Sequence, residues 1–111
     1  MIFPEKYRAK GFKVEGVDFH FFLIPFRGRD LHVIASIEPD GWERCSVSLK
    51  NRNPNWNEMC HVKNLLWGDD EFCIQLHPRK KHYINIHEHC LHIFKPPTKV
   101  QEVIEIVSRN E

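Results

Sequence analysis

Between positions 31 and 38 apolar and polar side chains alternate, with Leu31, Val33, Ala35 and Ile37 set against His32, Ser36 and Glu38. This is the pattern of a half-buried strand. Glu38-Pro39-Asp40-Gly41 is a strong turn signal, and beyond it Cys45, Val47 and Leu49 oppose Arg44, Ser46, Ser48 and Lys50. The two segments predict an antiparallel hairpin. Upstream, residues 17–24 are dense in strand formers and are followed by Pro25 and Gly28, which predicts a first strand and a turn.

The period then changes. Asn55 is followed three residues later by Glu58, the spacing of a capping box, and Trp56, Met59, Val62, Leu65 and Leu66 recur at helical intervals up to Gly68. A helix of about three turns is expected. Alternation returns over residues 71–77, with Phe72, Ile74 and Leu76 against Cys73, Gln75 and His77; after Pro78-Arg79-Lys80-Lys81 a return strand sets Tyr83, Asn85 and His87 against Ile84 and Ile86. A further short strand over residues 91–94 is stopped by Pro96-Pro97. Thr98 and Gln101 then form a second capping box before the stripe Val100, Val103, Ile104 and Val107. The expected architecture is α+β, an antiparallel sheet of about five or six strands with two helices packed on its apolar face. A length of 111 residues makes residues 1–111 a single domain.

Composition narrows the classes. Sixteen Lys and Arg nearly cancel fifteen Asp and Glu, so the chain lacks the global field that would hold duplex nucleic acid. Basic residues gather locally, at Arg27 with Arg29 and at Arg79, Lys80 and Lys81, which favours a small anionic ligand. No apolar run approaches a membrane span and the first residues lack signal-peptide architecture, so a cytoplasmic setting is expected. Cys45, Cys60, Cys73 and Cys90 contain no CxxC pair, as expected of reduced thiols.

Residues 82–94 concentrate four histidines and a cysteine. His87, His89, Cys90 and His92 are the candidate metal ligands for zinc, but on an extended strand they alternate between faces and cannot all converge. Two of them completed by His77, His82 or Cys73 would be needed. A nuclease reading of His82, Asn85 and His87 lacks the converging carboxylates such chemistry uses. Cys60 and His61 are neighbours on a helix and point apart, so Cys60 reads as packing. A binding surface uses more of the chain: Gln75, His77, Tyr83, Asn85, His87 and His92 would supply donors and acceptors, Arg79 a cation, and Trp56 a stacking platform. A sheet with one solvated face explains the same polar residues without a ligand.

Pro54-x-Trp56-x-Glu58-Met59, Lys63, Trp67, Gln75-x-His77-Pro78, Tyr83-x-Asn85-x-His87 and Cys90-Leu91-His92 together resemble a family of small uncharacterised proteins encoded mainly by bacteriophages and prophages. The resemblance covers residues 54–97, and Phe94 stands where that family usually carries Trp. It implies a phage source and a host cytoplasmic setting. Proteins of that class and size commonly act by binding.

The expectation is therefore a non-enzymatic counter-defence protein that sequesters a small, nucleotide-derived anion without a cofactor, as a homo-oligomer if two subunits share the ligand. The alternatives are a His-dependent nuclease or nucleotide-processing enzyme, with or without zinc, and an inhibitor covering a host protein through exposed apolar residues such as Phe12 or Trp42.

Overall fold

The computed structural model describes residues 1–50, 52–68, 73–76, 90–98 and 100, with the backbone alone for 74–76, 90 and 91. Six antiparallel strands are described: β1 Arg8–Val14, β2 Val17–Phe26, β3 Arg29–Ile37, β4 Glu43–Ser48, β5 Ile74–Leu76 and β6 Cys90–Lys95. Their order across the sheet is β1-β2-β3-β4-β6-β5. One α-helix, α1 Trp56–Leu66, follows β4.

The predicted hairpin of residues 31–38 and 42–50 is present as β3 and β4, with Ala35 opposite Cys45 and Val33 opposite Val47. The α+β class stands. Among the described residues α1 is the one α-helix whose full range is given; Thr98 and Val100 are helical, and the rest of the expected second helix lies outside the described residues. The return strand expected around Tyr83, Asn85 and His87 also lies outside the described residues. The described partner of β5 is β6.

Two tight turns shape the first half of the sheet. Glu15-Gly16 and Arg27-Gly28 both have positive φ, at 50°, 83°, 51° and 80°, and close the pairs Val14 with Val17 and Phe26 with Arg29. Paired positive φ values define the two-residue turn whose twist matches its flanking strands. β2 therefore runs through Pro25 instead of ending there. Proline removes a backbone donor, but β1 begins opposite Phe22 and, among the described residues, leaves the side of Pro25 away from β3 unpaired.

The apolar side of the sheet is built from Phe22, Ile24, Leu31, Val33, Ala35, Cys45, Val47 and Ile93, all buried. Met59, Val62 and Leu66 of α1, with Trp67, close this core. Each such side chain contributes roughly 1.5–3 kcal/mol on leaving water, so α1 is held mainly by this stripe and not by its own helix propensity. Its first turn is fixed by the predicted capping box: Glu58 N–H donates to Asn55 Oδ1 at 2.9 Å, and Asn55 N–H donates to Glu58 Oε1 at 2.8 Å. At the other end Ile2 N–H donates to the Leu66 carbonyl at 2.7 Å. Trp67 Nε1–H donates to Glu43 at 3.1 Å, and the Met1 amino group contacts the same carboxylate at 2.8 Å.

Candidate anion-binding site

Where β3 begins and β4 stops, the sheet opens into a cleft of about 350 Å³ lined by Arg29, Asp30, His32, Leu49, Lys50 and Arg52. Three elements deliver these residues. Arg29 and the exposed Asp30 and His32 open β3; Leu49 and Lys50 extend beyond β4; Arg52 lies on the path from Lys50 to α1. Strand alternation separates them, because Leu31 and Val33 are buried beneath α1 while Asp30 and His32 stand on the opposite face.

A buried carboxylate organises the cationic wall. Glu58, 1% exposed, receives Arg52 Nη1 and Nη2 at 2.7 and 2.8 Å, and Arg29 Nη1 lies 3.5 Å from its Oε2. The hydrogen bonds from Arg52 hold its carboxyl below the usual 4.5, against the opposing effect of burial and with help from Asn55 and Arg29. Arg52 is thus committed to Glu58. Arg29 and Arg52 nevertheless keep 48% and 39% of their side-chain surface exposed, so their charge faces solvent as well. Lys50 and Asp30 make no ion pair among the described residues.

Chemically, three cationic side chains at one rim, one of their charges offset by Glu58, with Asp30 and His32 at the other, can hold an anion and a hydrogen-bonding neighbour together. A second cleft, lined by Phe3, Gly16, Val17, Asp18, His20, Ile37 and Pro39, lacks such cations. Beside that lining Arg8 donates to Nδ1 of His20, whose ring lies 4.2 Å from that of Phe3.

The residues singled out in the sequence fare differently. His77, Arg79, Tyr83, Asn85, His87 and His89 lie outside the described residues. Gln75 stands opposite Ile93 in the register, and Leu76 stands opposite His92, so Gln75 and His92 take positions on opposite faces of the sheet. The His92 ring stacks on Phe94 at 6.0 Å. Trp56 opens α1, 66% exposed, and is not part of the cationic cleft. Among the described residues no group of three or more His, Cys, Asp or Glu side chains could hold a metal ion. Cys60 is a free thiol, Cys45 is buried in the core, and His61 packs on Phe26 with ring centroids 4.5 Å apart.

Sequence reasoning brought none of the six cleft residues to a site. The available signals were Arg29 in a local basic cluster and Glu58 as a capping residue. Nothing in the spacing announces that a carboxylate at the third position of a helix also anchors two arginines, one from another strand.

The fold and cleft define an α+β domain with a cationic site at the open end of an antiparallel sheet. A family model described as Domain of unknown function (DUF7694) matches residues 34–98, more than half of the chain, and the chain belongs to that family. The match begins within β3, upstream of the resemblance traced from Pro54. No curated protein and no solved structure matches the chain significantly. No helix among the described residues is long and apolar enough to cross a membrane.

Proposed function

We propose that this protein binds a small, nucleotide-derived anion without transforming it, acting as a phage-encoded counter-defence sponge in the host cytoplasm. The observation that supports this reading is the cleft in which Arg29, Lys50 and Arg52 converge beside Asp30 and His32. Its size lies at the lower end of the range for small-molecule sites, roughly 300–1,000 Å³. The described members of the earlier residue set, Gln75, His92 and Trp56, do not line it, so the proposal rests on the cleft.

Native mass spectrometry of protein purified without chelator, followed by titration calorimetry with nucleotides, tests it. A nucleotide-sized mass lost on denaturation, with binding weakened by Lys50→Ala, is the expected result, and the intact mass reports any homo-oligomer. A bare subunit that gives no heat with any phosphate compound would overturn it. A zinc-sized adduct with chelator-sensitive turnover would replace it with the enzyme reading.

A second reading, inhibition of a host protein, draws on the face opposite α1. There Phe12, Leu23 and Ile34 are exposed at 40%, 36% and 37%, and Phe12 stacks on Phe19 at 5.3 Å. Loss of host-protein capture on Phe12→Ser, with nucleotide affinity nil throughout, would select this reading.

A further inference from the structure

We infer that the ligand of the cationic cleft is a ribonucleoside monophosphate, its phosphate held by Arg29, Lys50 and Arg52 and its ribose hydroxyls by the carboxylate of Asp30. This inference rests on the anion-binding reading above and specifies its ligand.

The cleft is polarised, and that limits what fits. An anion alone would gain from Arg29, Lys50 and Arg52 but would meet Asp30 as a like charge in the same small space. An ionised carboxylate only accepts hydrogen bonds. Among anions entering the cleft, Asp30, exposed and without an ion pair among the described residues, therefore favours one that carries donors a short distance from its negative group. A sugar with adjacent hydroxyls next to a phosphate has that arrangement, two O–H donors for two carboxylate oxygens. Inorganic phosphate offers no such second group.

His32 extends the argument from sugar phosphate to nucleotide. Its ring is exposed on the same face as Asp30, two residues along β3, and is braced edge-on by Phe21 at 5.9 Å. In the register it lies beside Leu23, itself 36% exposed. A planar base leaving the ribose would find there an aromatic ring held in one orientation and an aliphatic neighbour, the surfaces on which bases stack. The cleft's volume of about 350 Å³ suits one nucleotide within one subunit better than two linked ones.

The test is titration calorimetry on the full chain with adenosine and uridine 5′-monophosphates, their 2′-deoxy counterparts, ribose 5-phosphate and inorganic phosphate. The ribonucleotides should bind on the order of tenfold more tightly than the deoxynucleotides, the scale of a lost hydrogen bond to a charged acceptor. Asp30→Ala should erase that difference while leaving deoxynucleotide affinity equal or improved. Lys50→Ala should weaken every phosphate compound alike, and His32→Ala should weaken nucleotides but not ribose 5-phosphate. All three positions are exposed, and unchanged circular dichroism and urea midpoints would confirm that each variant folds. Equal affinity for the ribo and deoxy forms, with binding still dependent on Lys50, would overturn the ribonucleotide assignment and leave the anion site standing. Persistence of the ribose preference in Asp30→Ala would overturn it too. Absence of binding by every compound would remove the anion site itself.

Discussion

Arg52 lays both terminal nitrogens of its guanidinium on the two carboxylate oxygens of Glu58, at 2.7 and 2.8 Å, and so ties the chain leaving β4 to the first turn of α1. Glu58 also closes the capping box on Asn55 and lies 3.5 Å from Arg29. One buried carboxylate thereby sets the start of the helix and the cationic wall of the cleft.

Replacing Glu58 by Gln should cost about 2–3 kcal/mol, because the charge that Arg29 and Arg52 face is removed while its buried site remains. Urea unfolding of the variant measures it. A shift within about 0.5 kcal/mol, the scale of an ordinary surface change, would show that the pair contributes little to stability.

The same contact makes stability depend on acid. Arg52 holds the Glu58 carboxyl below 4.5 in the folded chain, so near that pH the unfolded chain binds more protons. The stabilisation is complete above the ordinary carboxylate value and is lost as pH falls through the lowered folded one. Thermal midpoints should therefore drop as the pH is taken below about 4.5, and part of that drop should vanish in Glu58→Gln. Identical acid profiles for the two proteins would place the acid sensitivity elsewhere.

Glu15 adopts a φ of 50° in the turn joining β1 to β2, a conformation that asparagine tolerates better. Glu15→Asn should stabilise the protein by about 0.5–1 kcal/mol, and Gly16→Ala, at a φ of 83°, should destabilise it by at least that much. Differential scanning calorimetry would read opposite shifts; a lowered midpoint for Glu15→Asn would contradict the turn assignment.

Two tryptophans should behave oppositely. Trp67 is 8% exposed and donates to Glu43, so Trp67→Phe should cost about 1–2 kcal/mol. Trp56 is 66% exposed, and Trp56→Phe should change stability by less than about 0.5 kcal/mol while removing the most readily quenched fluorescence, half-buried Trp42 keeping a smaller quenchable share. Quenching dominated by Trp67 would reverse their placement.

What could be read in advance follows from the range of each interaction. β3, β4 and α1 announce themselves because alternation and the Asn55–Glu58 spacing are local, and burial of Val33, Val47, Met59 and Val62 confirms the periods. β1 carried no such signal. Six of its seven residues are exposed, and backbone pairing with β2 is what makes it a strand. Its lysines and the register shift between Arg8 and Lys10 are features that protect sheet edges. Grouping Gln75 with His92 required a register that sequence does not fix, and one step of slip exchanges faces. The cleft escaped notice for a related reason: Arg29 and Arg52 meet at Glu58 only after the sheet and helix have packed.

The family boundary at residue 34 divides β3, yet Phe22, Ile24, Leu31 and Val33 on its near side belong to the same core as Val47, Met59 and Ile93 on its far side. The stretch that matches the family model and the stretch that builds the core are therefore different lengths of chain. A polypeptide trimmed to the matched stretch would begin in the middle of a strand with its interior open to water. It would also leave behind Arg29, Asp30 and His32, one bank of the cleft. In this chain the matched stretch is completed by the strands that precede it, which supply part of the core and one bank of the cleft.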